Sequence, residues 1–326
     1  MNSELLPDWV VWSPRSFPDT NLLLLAGGRP ALIDSGFVGH ADQTAAWVRS
    51  HTAALDLVVN THWHADHVGG NALLQTAGVR VAASAIDAAA LSRPDPACCL
   101  AEYLDQPVAP YVVDESLDDG QVLPLGNAQW QVVASPGHTP GHLSLWQPDE
   151  RVLITGDAVS NYDIGWINLA VDGPDIAVTA AQSLQRLADL NPRVLLPAHG
   201  PIPPDPQAAL AAGLRRIRRL AQDPAGAVRY GARRILAFSL MIHNGIPVTD
   251  VDGYLRNRPW VIDAGRLLHT TPEEFAHGLI DSMLTSGAIT IRDGRLHATA
   301  DHSPVPPDIW QIPFPATWPA LHRAGT

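Results

Sequence analysis

The feature that most limits what this chain can fold into is a run of three histidines and one aspartate at residues 62–67. The run follows a short apolar segment that is predicted to be a buried strand. In a tight turn that leaves a strand, residues two apart can point the same way, so His62 and His64 can chelate one ion. Asp66 and His67 begin the next predicted helix and can face a second ion beside the first. Imidazole nitrogens and carboxylate oxygens suit zinc, and also iron or manganese.

Three further candidate ligands follow, and each lies at the end of a predicted strand. They are His138, Asp157 and His199, and each has a glycine as its immediate neighbour in the chain. Strand ends are where a sheet projects functional groups, and adjacent glycines let the backbone and an ion approach closely. Each of these short patterns is weak alone. In this order, after the first run, they together predict a metal site.

Predicted strands and helices alternate from residue 21 to residue 196, with both hairpins and crossovers between the strands. This alternation favours a layered α/β architecture with mixed sheets. The predicted strands are Asn21–Ala26, Pro30–Ile33, Leu57–Asn60, Val79–Ser84, Gln121–Leu125, Gln129–Ala134, Leu143–Trp146, Val152–Thr155 and Val194–Leu196. The predicted helices are His40–His51, Val68–Ala77, Ala85–Asp105, which is expected to break at Pro94 and Pro96, and Ile176–Leu190.

The character of the chain changes after the prolines of residues 201–206. The next predicted helix has an apolar stripe opposite four arginines, which are predicted to form a solvated face: Arg215, Arg216, Arg218 and Arg219. From residue 231 the pattern is three short helices and a hairpin, which resembles a small winged-helix module. The tail from Ser303 has no period and is predicted to pack in extended form. We therefore predict a catalytic domain at residues 1–223 and a winged-helix-like module with its tail at residues 224–326.

Composition restricts the possible partners and compartment. The net charge is −12, with 21 arginines and no lysine, which disfavours a general nucleic-acid binder because phosphate contacts need clustered basic residues. The neighbouring cysteines Cys98 and Cys99 predict neither a disulfide nor a cysteine-based zinc site. The purely apolar runs are too short to span a bilayer. Because no basic segment precedes an apolar stretch at the N-terminus, the expected location is the cytoplasm, with no membrane contact.

The complete set of motifs resembles the metallo-β-lactamase superfamily over about residues 8–222. The resemblance implies a four-layer αββα sandwich with two metal ions in a cleft at the edges of the sheets. It implies a first metal held by three histidines, His62, His64 and His138. It implies a second metal held by Asp66, His67 and His199, with Asp157 as the bridge between the two ions.

The chemistry implied by this resemblance is hydrolysis with two Zn²⁺ ions, for which iron or manganese can substitute. Two metals about 3.5–4 Å apart share a water and lower its pKa, so that a bridging hydroxide can attack a carbonyl. The expected substrate is a small molecule with an ester, lactone, thioester or β-lactam bond. The carboxylates of Asp66 and Asp157 are the expected catalytic groups among the ligands.

Other residues near the motifs are predicted to support the ligands or the substrate. Asp34 matches an acidic position of the family and is expected to accept a hydrogen bond from a ligand histidine. Thr61 and Thr139 are expected to form hydrogen bonds within the motif loops, and His142 to lie beside the metals without binding one. Three aromatic residues in or after the motif loops are possible pocket walls: Trp63, Tyr162 and Trp166.

Two other activities of the same superfamily fit the sequence less well. The first is a nuclease or phosphodiesterase, which only the arginine run supports and which the overall negative charge opposes. The second is a mononuclear-iron sulfur dioxygenase, which shares much of the motif set. The C-terminal module is expected to supply no metal ligand. It is expected instead to shape one side of the cleft or to form a homodimer contact.

Overall fold

A computed structural model describes residues 5–318 of the chain. Two β-sheets form the centre of residues 5–223, the N-terminal part. The first contains six strands in the order of the chain: β1 (Val10–Ser13), β2 (Leu22–Leu25), β3 (Ala31–Ile33), β4 (Leu57–Val59), β5 (Arg80–Ser84) and β6 (Glu115–Leu117). The second is ordered β11-β10-β9-β8-β7: β7 (Val122–Leu125), β8 (Ala128–Ala134), β9 (Leu143–Gln147), β10 (Val152–Gly156) and β11 (Val194–Pro197).

The period-two pattern of the strands explains how the two sheets pack, because successive side chains point to opposite faces. Leu23 and Ile33 of the first sheet share one apolar cluster with Val132 and Ile154 of the second. Leu32, which neighbours Ile33 on the same strand, belongs instead to a cluster with the helices outside the first sheet. The other face of the second sheet packs on two further helices. The predicted αββα sandwich is therefore confirmed.

Helices cover both outer faces of the sandwich. The first sheet is covered by five helices: α1 (Ala41–His51), α2 (Ala65–Val68), α3 (Asn71–Thr76), α4 (Ala85–Leu91) and α5 (Ala101–Leu104). The second sheet is covered by α6 (Ile176–Asp189) and α7 (Pro206–Gln222). None of the helices in the described residues has the combination of length and hydropathy that crossing a bilayer requires.

The helix predicted at Val68–Ala77, with Asp66 and His67 at its start, is two helices in the structure. The helical turn begins at Ala65, and the helix is interrupted at Gly69 and Gly70 before α3 begins. A Cβ atom on Gly69 would lie 2.1 Å from the backbone nitrogen of Val38, so the chain passes too close there for any side chain. The break places the motif residues on their own short helix.

Other differences from prediction concern short elements and a proline-rich loop. The strands β1 and β6 were not predicted, since each is an edge strand of three or four residues. The break predicted at Pro94 and Pro96 does separate two helices, α4 and α5, but both are shorter than predicted.

The described C-terminal part contains four α-helices, one more than the three short helices predicted, and the first of the four is long. Its elements are α8 (Pro224–Ile242), β12 (Ile246–Pro247), α9 (Val248–Arg256), α10 (Pro259–Leu268), α11 (Pro272–Thr285), β13 (Ile289–Arg292) and β14 (Arg295–Ala298). The strands pair in the order β12-β14-β13. The apolar faces of these elements form one cluster, which includes Leu100 and Leu104 of the N-terminal part. The winged-helix-like interpretation stays a prediction.

The tail after β14 is not simply extended. Within its described part it forms short 3₁₀ turns at Pro307–Gln311 and Pro315–Thr317. Val305 and Ile309 pack into the apolar cluster beneath the first sheet. The backbone N–H of Ser303 donates to the carbonyl oxygen of Phe17 at 2.7 Å. The tail therefore crosses back onto the N-terminal part.

The buried side chain of His40 forms a hydrogen bond to this tail. The Nδ1 atom of His40 lies 2.6 Å from a carboxylate oxygen of Asp19, and its Nε2 atom lies 2.9 Å from the carbonyl oxygen of Pro304. Both partners accept hydrogen bonds, so the imidazole makes both bonds only when doubly protonated. The hydrogen bond to Asp19 raises the pKa of His40 above its ordinary value, against the effect of burial.

We predict that His40→Asn lowers the free energy of unfolding by about 2 kcal/mol at pH 6, since a charged, buried hydrogen-bonding group is removed. A raised folded-state pKa stabilises the protein below the unfolded value of about 6.5, and this contribution is lost as the pH rises through the folded value. Urea unfolding of both proteins should therefore show a smaller difference at pH 9 than at pH 6. A difference that does not change with pH would contradict the charged state of His40.

Candidate metal centre

Strand direction brings the motif residues to one edge of the sandwich. The strands β3 and β4 are parallel, so Asp34 and the run at residues 62–67 follow their strands at the same edge. The strands β10 and β11 are also parallel, which places Asp157 and His199 side by side. The strand β8 runs in the same direction as β10, because each is antiparallel to β9 between them. His138, after β8, therefore joins the same group.

Three imidazole nitrogens form the first group of this centre. His64 Nδ1 lies 3.1 Å from His62 Nε2 and 2.9 Å from His138 Nε2. Nitrogens bound to one tetrahedral zinc at 2.0–2.1 Å are separated by about 3.3 Å. The spacing of the three nitrogens is therefore close to that of a shared ion.

The second group consists of one carboxylate and two imidazoles. A carboxylate oxygen of Asp66 lies 3.2 Å from His199 Nε2 and 3.8 Å from His67 Nε2. The Nε2 atom of His67 is buried and has no hydrogen-bond partner in the described structure. Since buried polar atoms are rarely left unpaired, this nitrogen fits a ligand atom that faces a cation.

Asp157 faces both groups with different oxygens. Its Oδ1 lies 3.5 Å from His67 Nε2 and 3.6 Å from His199 Nε2, while its Oδ2 lies 3.5 Å from His138 Nε2. A carboxylate in this position can contact two ions at once. The geometry of the residues present therefore fits two metal ions better than one.

The electrostatics of the cluster agree with this fit. Burial lowers the pKa of His62 and of His64 well below the usual range, so both rings are neutral and keep a free lone pair. Burial also works against a charged His67, but the carboxylates of Asp34, Asp66 and Asp157 together raise its pKa to about 10. The second group thus lies where negative charge favours a cation.

Asp34 and Thr61 fix the orientation of His67, as the sequence predicted for Asp34. One Asp34 oxygen lies 2.8 Å from His67 Nδ1 and also accepts from the Thr61 hydroxyl at 2.8 Å. The other oxygen accepts from the Thr61 backbone N–H at 2.8 Å. With Nδ1 held as the donor, His67 presents Nε2 to the cluster.

Two aromatic rings and one carbonyl orient other histidines. His138 Nδ1 lies 2.7 Å from the carbonyl oxygen of Trp166, which leaves Nε2 for the first group. The Trp166 ring is parallel to the His64 ring, with 5.7 Å between centroids. Phe17 stacks on His199 with 4.7 Å between centroids.

His142 lies beside the cluster with both ring nitrogens occupied. Its Nδ1 lies 2.8 Å from Ser135 Oγ, and its Nε2 accepts the backbone N–H of Asp157 at 3.1 Å. Burial lowers its pKa to about 3, so the ring is neutral. The expected hydrogen bond of the Thr139 hydroxyl is not formed, because that oxygen is buried without a partner among the described residues.

A cavity of about 320 Å³ opens beside the two groups. Its wall includes residues of both groups: His64, Asp66, His138, Asp157 and His199. Of the three aromatic residues predicted near the pocket, Tyr162 and Trp166 line this cavity. Trp63 does not line it and packs against the apolar cluster beneath the first sheet.

Sequence reasoning missed a large part of the cavity wall. Phe17 comes from the loop before β2, and Leu104 from α5. Ile235, Phe238 and Met241 lie three residues apart on α8, which shows a helix face. Such spacing reveals a buried stripe but not the surface that it packs against, so no signal in the sequence assigned these residues to the cavity.

We predict that His142→Leu costs about 2 kcal/mol in the free energy of unfolding, because the N–H of Asp157 loses its acceptor in a buried site. Since both nitrogens of His142 are engaged by protein atoms, the number of metal ions bound per chain should not change. Urea unfolding and elemental analysis of the same preparation test both statements. The loss of one ion per chain would show that His142 is a ligand.

Comparison with known proteins gives an independent result. The family model described as metallo-beta-lactamase superfamily matches residues 17–199, more than half of the chain. The chain is 29% identical over 196 residues to the Beta-lactamase-like protein 2 homolog of Caenorhabditis elegans, with 58% of each chain covered. It is 34% identical over 191 residues to a hydroxyacylglutathione hydrolase of Acidiphilium cryptum, with 56% of this chain and 68% of the relative covered.

A solved structure shows the same fold over a longer stretch. A metallo-beta-lactamase family protein from Thermus thermophilus has a TM-score of 0.55 and 22% identity, and the match covers 90% of this chain and 99% of that one. The match therefore extends into the C-terminal part. By sequence, the chain spans 35 to 64% of the length of the first curated relatives that it matches.

Proposed function

Because the chain belongs to the metallo-beta-lactamase superfamily, we propose that it is a dinuclear metal hydrolase that cleaves the thioester or ester bond of a small molecule. The main support is the position of Asp157, whose two carboxylate oxygens face the two groups of candidate ligands. A carboxylate shared in this way is expected where two ions act on one water.

The proposed ligands are those that the structure brings together. Three imidazoles, of His62, His64 and His138, would hold one zinc ion, and Asp66, His67 and His199 would hold the other, with Asp157 between them. When bound, two such ions supply a water of lowered pKa and polarise the carbonyl oxygen of the substrate.

The chain's own residues have separate tasks in this proposal. Asp34 and the Trp166 carbonyl hold two histidine rings in the orientation that exposes Nε2. Although burial opposes ionisation, the nearby histidines hold the pKa of Asp66 and of Asp157 below the ordinary range, so both carboxylates stay ionised and would lie beside the water that two bound ions supply. Tyr162 lies at the cavity mouth, where its hydroxyl is close to Gly200 and 61% of its surface is exposed, so it can contact the substrate.

The cavity and one relative favour a thioester over the other acyl bonds. The relative in Acidiphilium cryptum is named for the hydrolysis of a hydroxyacylglutathione, an acyl group carried by a thiol. Many of the residues that line the cavity here are apolar, which fits an acyl group. Lactones and β-lactams, the other two acyl bonds expected from the sequence, are tested beside thioesters below.

We predict that Asp66→Ala keeps close to one tightly bound metal per chain and loses the other. The second ion would keep two neutral imidazoles and its share of Asp157, which is a poorer set of ligands for a dication. Hydrolysis should fall by at least a factor of about 100, since the attacking water needs both ions to lose its proton readily. The first ion should stay because its three histidines are unchanged.

Metal stoichiometry and rate are measured on the same sample, with Asp34→Ala as the comparison. Among the candidate ligands Asp34 contacts the outer nitrogen of His67 and would not touch an ion, so its removal should reduce affinity or activity by about 10–100-fold. Two retained metals with near-normal hydrolysis in Asp66→Ala would exclude Asp66 as a ligand. One metal with full activity would show that a single ion suffices.

We predict that the purified protein with two Zn²⁺ per chain hydrolyses acyl thioesters faster than lactones, β-lactams or bis-p-nitrophenyl phosphate. The panel is assayed at one pH with equal substrate concentrations, and an apo sample serves as the control. Turnover of the phosphodiester alone would overturn the proposal. Oxygen consumption with a persulfide, together with one iron per chain, would instead indicate the dioxygenase.

A second candidate, phosphodiester cleavage, has one specific observation in its favour. The helices α7 and α8 contain seven arginines and no acidic residue: Arg215, Arg216, Arg218, Arg219, Arg229, Arg233 and Arg234. However, Arg216 and Arg234 are both ion-paired with Asp163, which reduces the charge available near the cavity. Affinity for labelled RNA that falls steeply with salt would support this candidate.

A further inference from the structure

Part of the cavity wall belongs to the C-terminal part. Ile235, Phe238 and Met241 of α8 contribute apolar side chains there, together with Leu104 of α5. The polar lining residues other than the candidate ligands include Gln106, Ser160, Tyr162, Asp163 and Arg234, the last of which neighbours Ile235 on α8. The cavity therefore offers apolar side chains that suit methylene groups and polar groups that suit a leaving group.

A second, smaller chamber lies behind the apolar wall. Its volume is about 30 Å³, and it is a partly open space lined by the loop after Trp166 together with α5, α8 and α10. Its lining includes Ala232, Trp260 and Ala264, which are almost fully buried. Trp166 and Ile235 line both spaces, so these two side chains form the partition between them.

We propose that Ile235 sets the maximum length of the acyl chain that this enzyme accepts, by closing the main cavity against the chamber behind it. The proposal rests on the proposed acyl hydrolysis and adds the class of acyl group, an unbranched saturated chain that ends at Ile235. Removal of the Ile235 side chain joins the two spaces and allows a longer chain to enter.

Of the two residues that form the partition, Ile235 is the better one to substitute. Trp166 stacks on His64 and accepts a hydrogen bond from His138, so a change there would disturb the candidate ligands as well as the wall. Ile235 is 6% exposed and belongs to the apolar cluster of the C-terminal part. It is therefore a specificity-determining residue and not part of the catalytic machinery.

The direct test compares Ile235→Ala with the wild type on saturated straight-chain acyl thioesters of about 4 to 12 carbons. One methylene in an apolar pocket changes kcat/KM by about tenfold or more. We expect the preferred chain of Ile235→Ala to be at least two carbons longer, with a ratio of long-chain to short-chain kcat/KM at least tenfold above that of the wild type. Ile235→Val should show a smaller shift in the same direction.

Two further variants separate this role from a general loosening of the core. Ile246→Ala removes the same side chain from the same apolar cluster, but Ile246 lines neither space, so its chain-length profile should equal that of the wild type. Ile235→Ala combined with Ala264→Leu fills the chamber and should restore the preference for short chains. A longer preference in Ile246→Ala, or no reversal in the double variant, would overturn the proposal.

A binding measurement keeps the inference independent of catalysis. Calorimetry with the metal-free protein and straight-chain carboxylates should show the same lengthening of the preferred chain in Ile235→Ala. If the wild type hydrolyses no acyl substrate but the carboxylates bind with this length dependence, the proposed reaction fails and the chain-length role stands. If hydrolysis occurs and neither profile changes in Ile235→Ala, the chain-length role is wrong.

Discussion

The structure depends on one electrostatic constraint, the burial of carboxylates and imidazoles at a single edge of the sandwich. Asp34, Asp66 and Asp157 are removed from most of the water and lie among histidines. Burial of charge is costly unless the charge is paired, and a dication held between the groups would pair with these carboxylates. The parallel pairing of β3 with β4 and of β10 with β11 makes this convergence possible, because it directs several strand ends to the same place.

The candidate ligands were accessible from the sequence because their positions follow from local rules. A polar residue directly after a buried apolar strand lies at the edge of the sheet where that strand ends. The order and direction of the strands then bring His138, Asp157 and His199 to the run at residues 62–67. The orientation of His67 by Asp34 was accessible for the same reason. Its completion by the hydroxyl and backbone N–H of Thr61 depends on the left-handed backbone of Asp34, where φ is +57°, and is visible only in the structure.

The missed features depend on contacts between distant segments. Trp63 lies between two candidate ligands in the chain, yet its side chain turns into the core, since alternate residues of an extended turn point to opposite sides. Phe17 stacks on His199, although the two residues are far apart in the sequence. The helix α8, which lines the cavity, follows all of the candidate ligands in the chain. The apolar stripe of α8 is evident in the sequence, but only tertiary packing decides that part of this stripe faces a cavity.

The tail has a consequence for how the centre is protected. All seven candidate ligands lie between residues 62 and 199, whereas Phe17 and Ala300, which help to enclose the cavity, come from segments joined by the tail's hydrogen bond to the Phe17 carbonyl. Local opening of the tail would uncover the cavity without separating the ligands from one another. The candidate metal centre would then stay assembled, while bulk water and solutes other than the substrate could reach it.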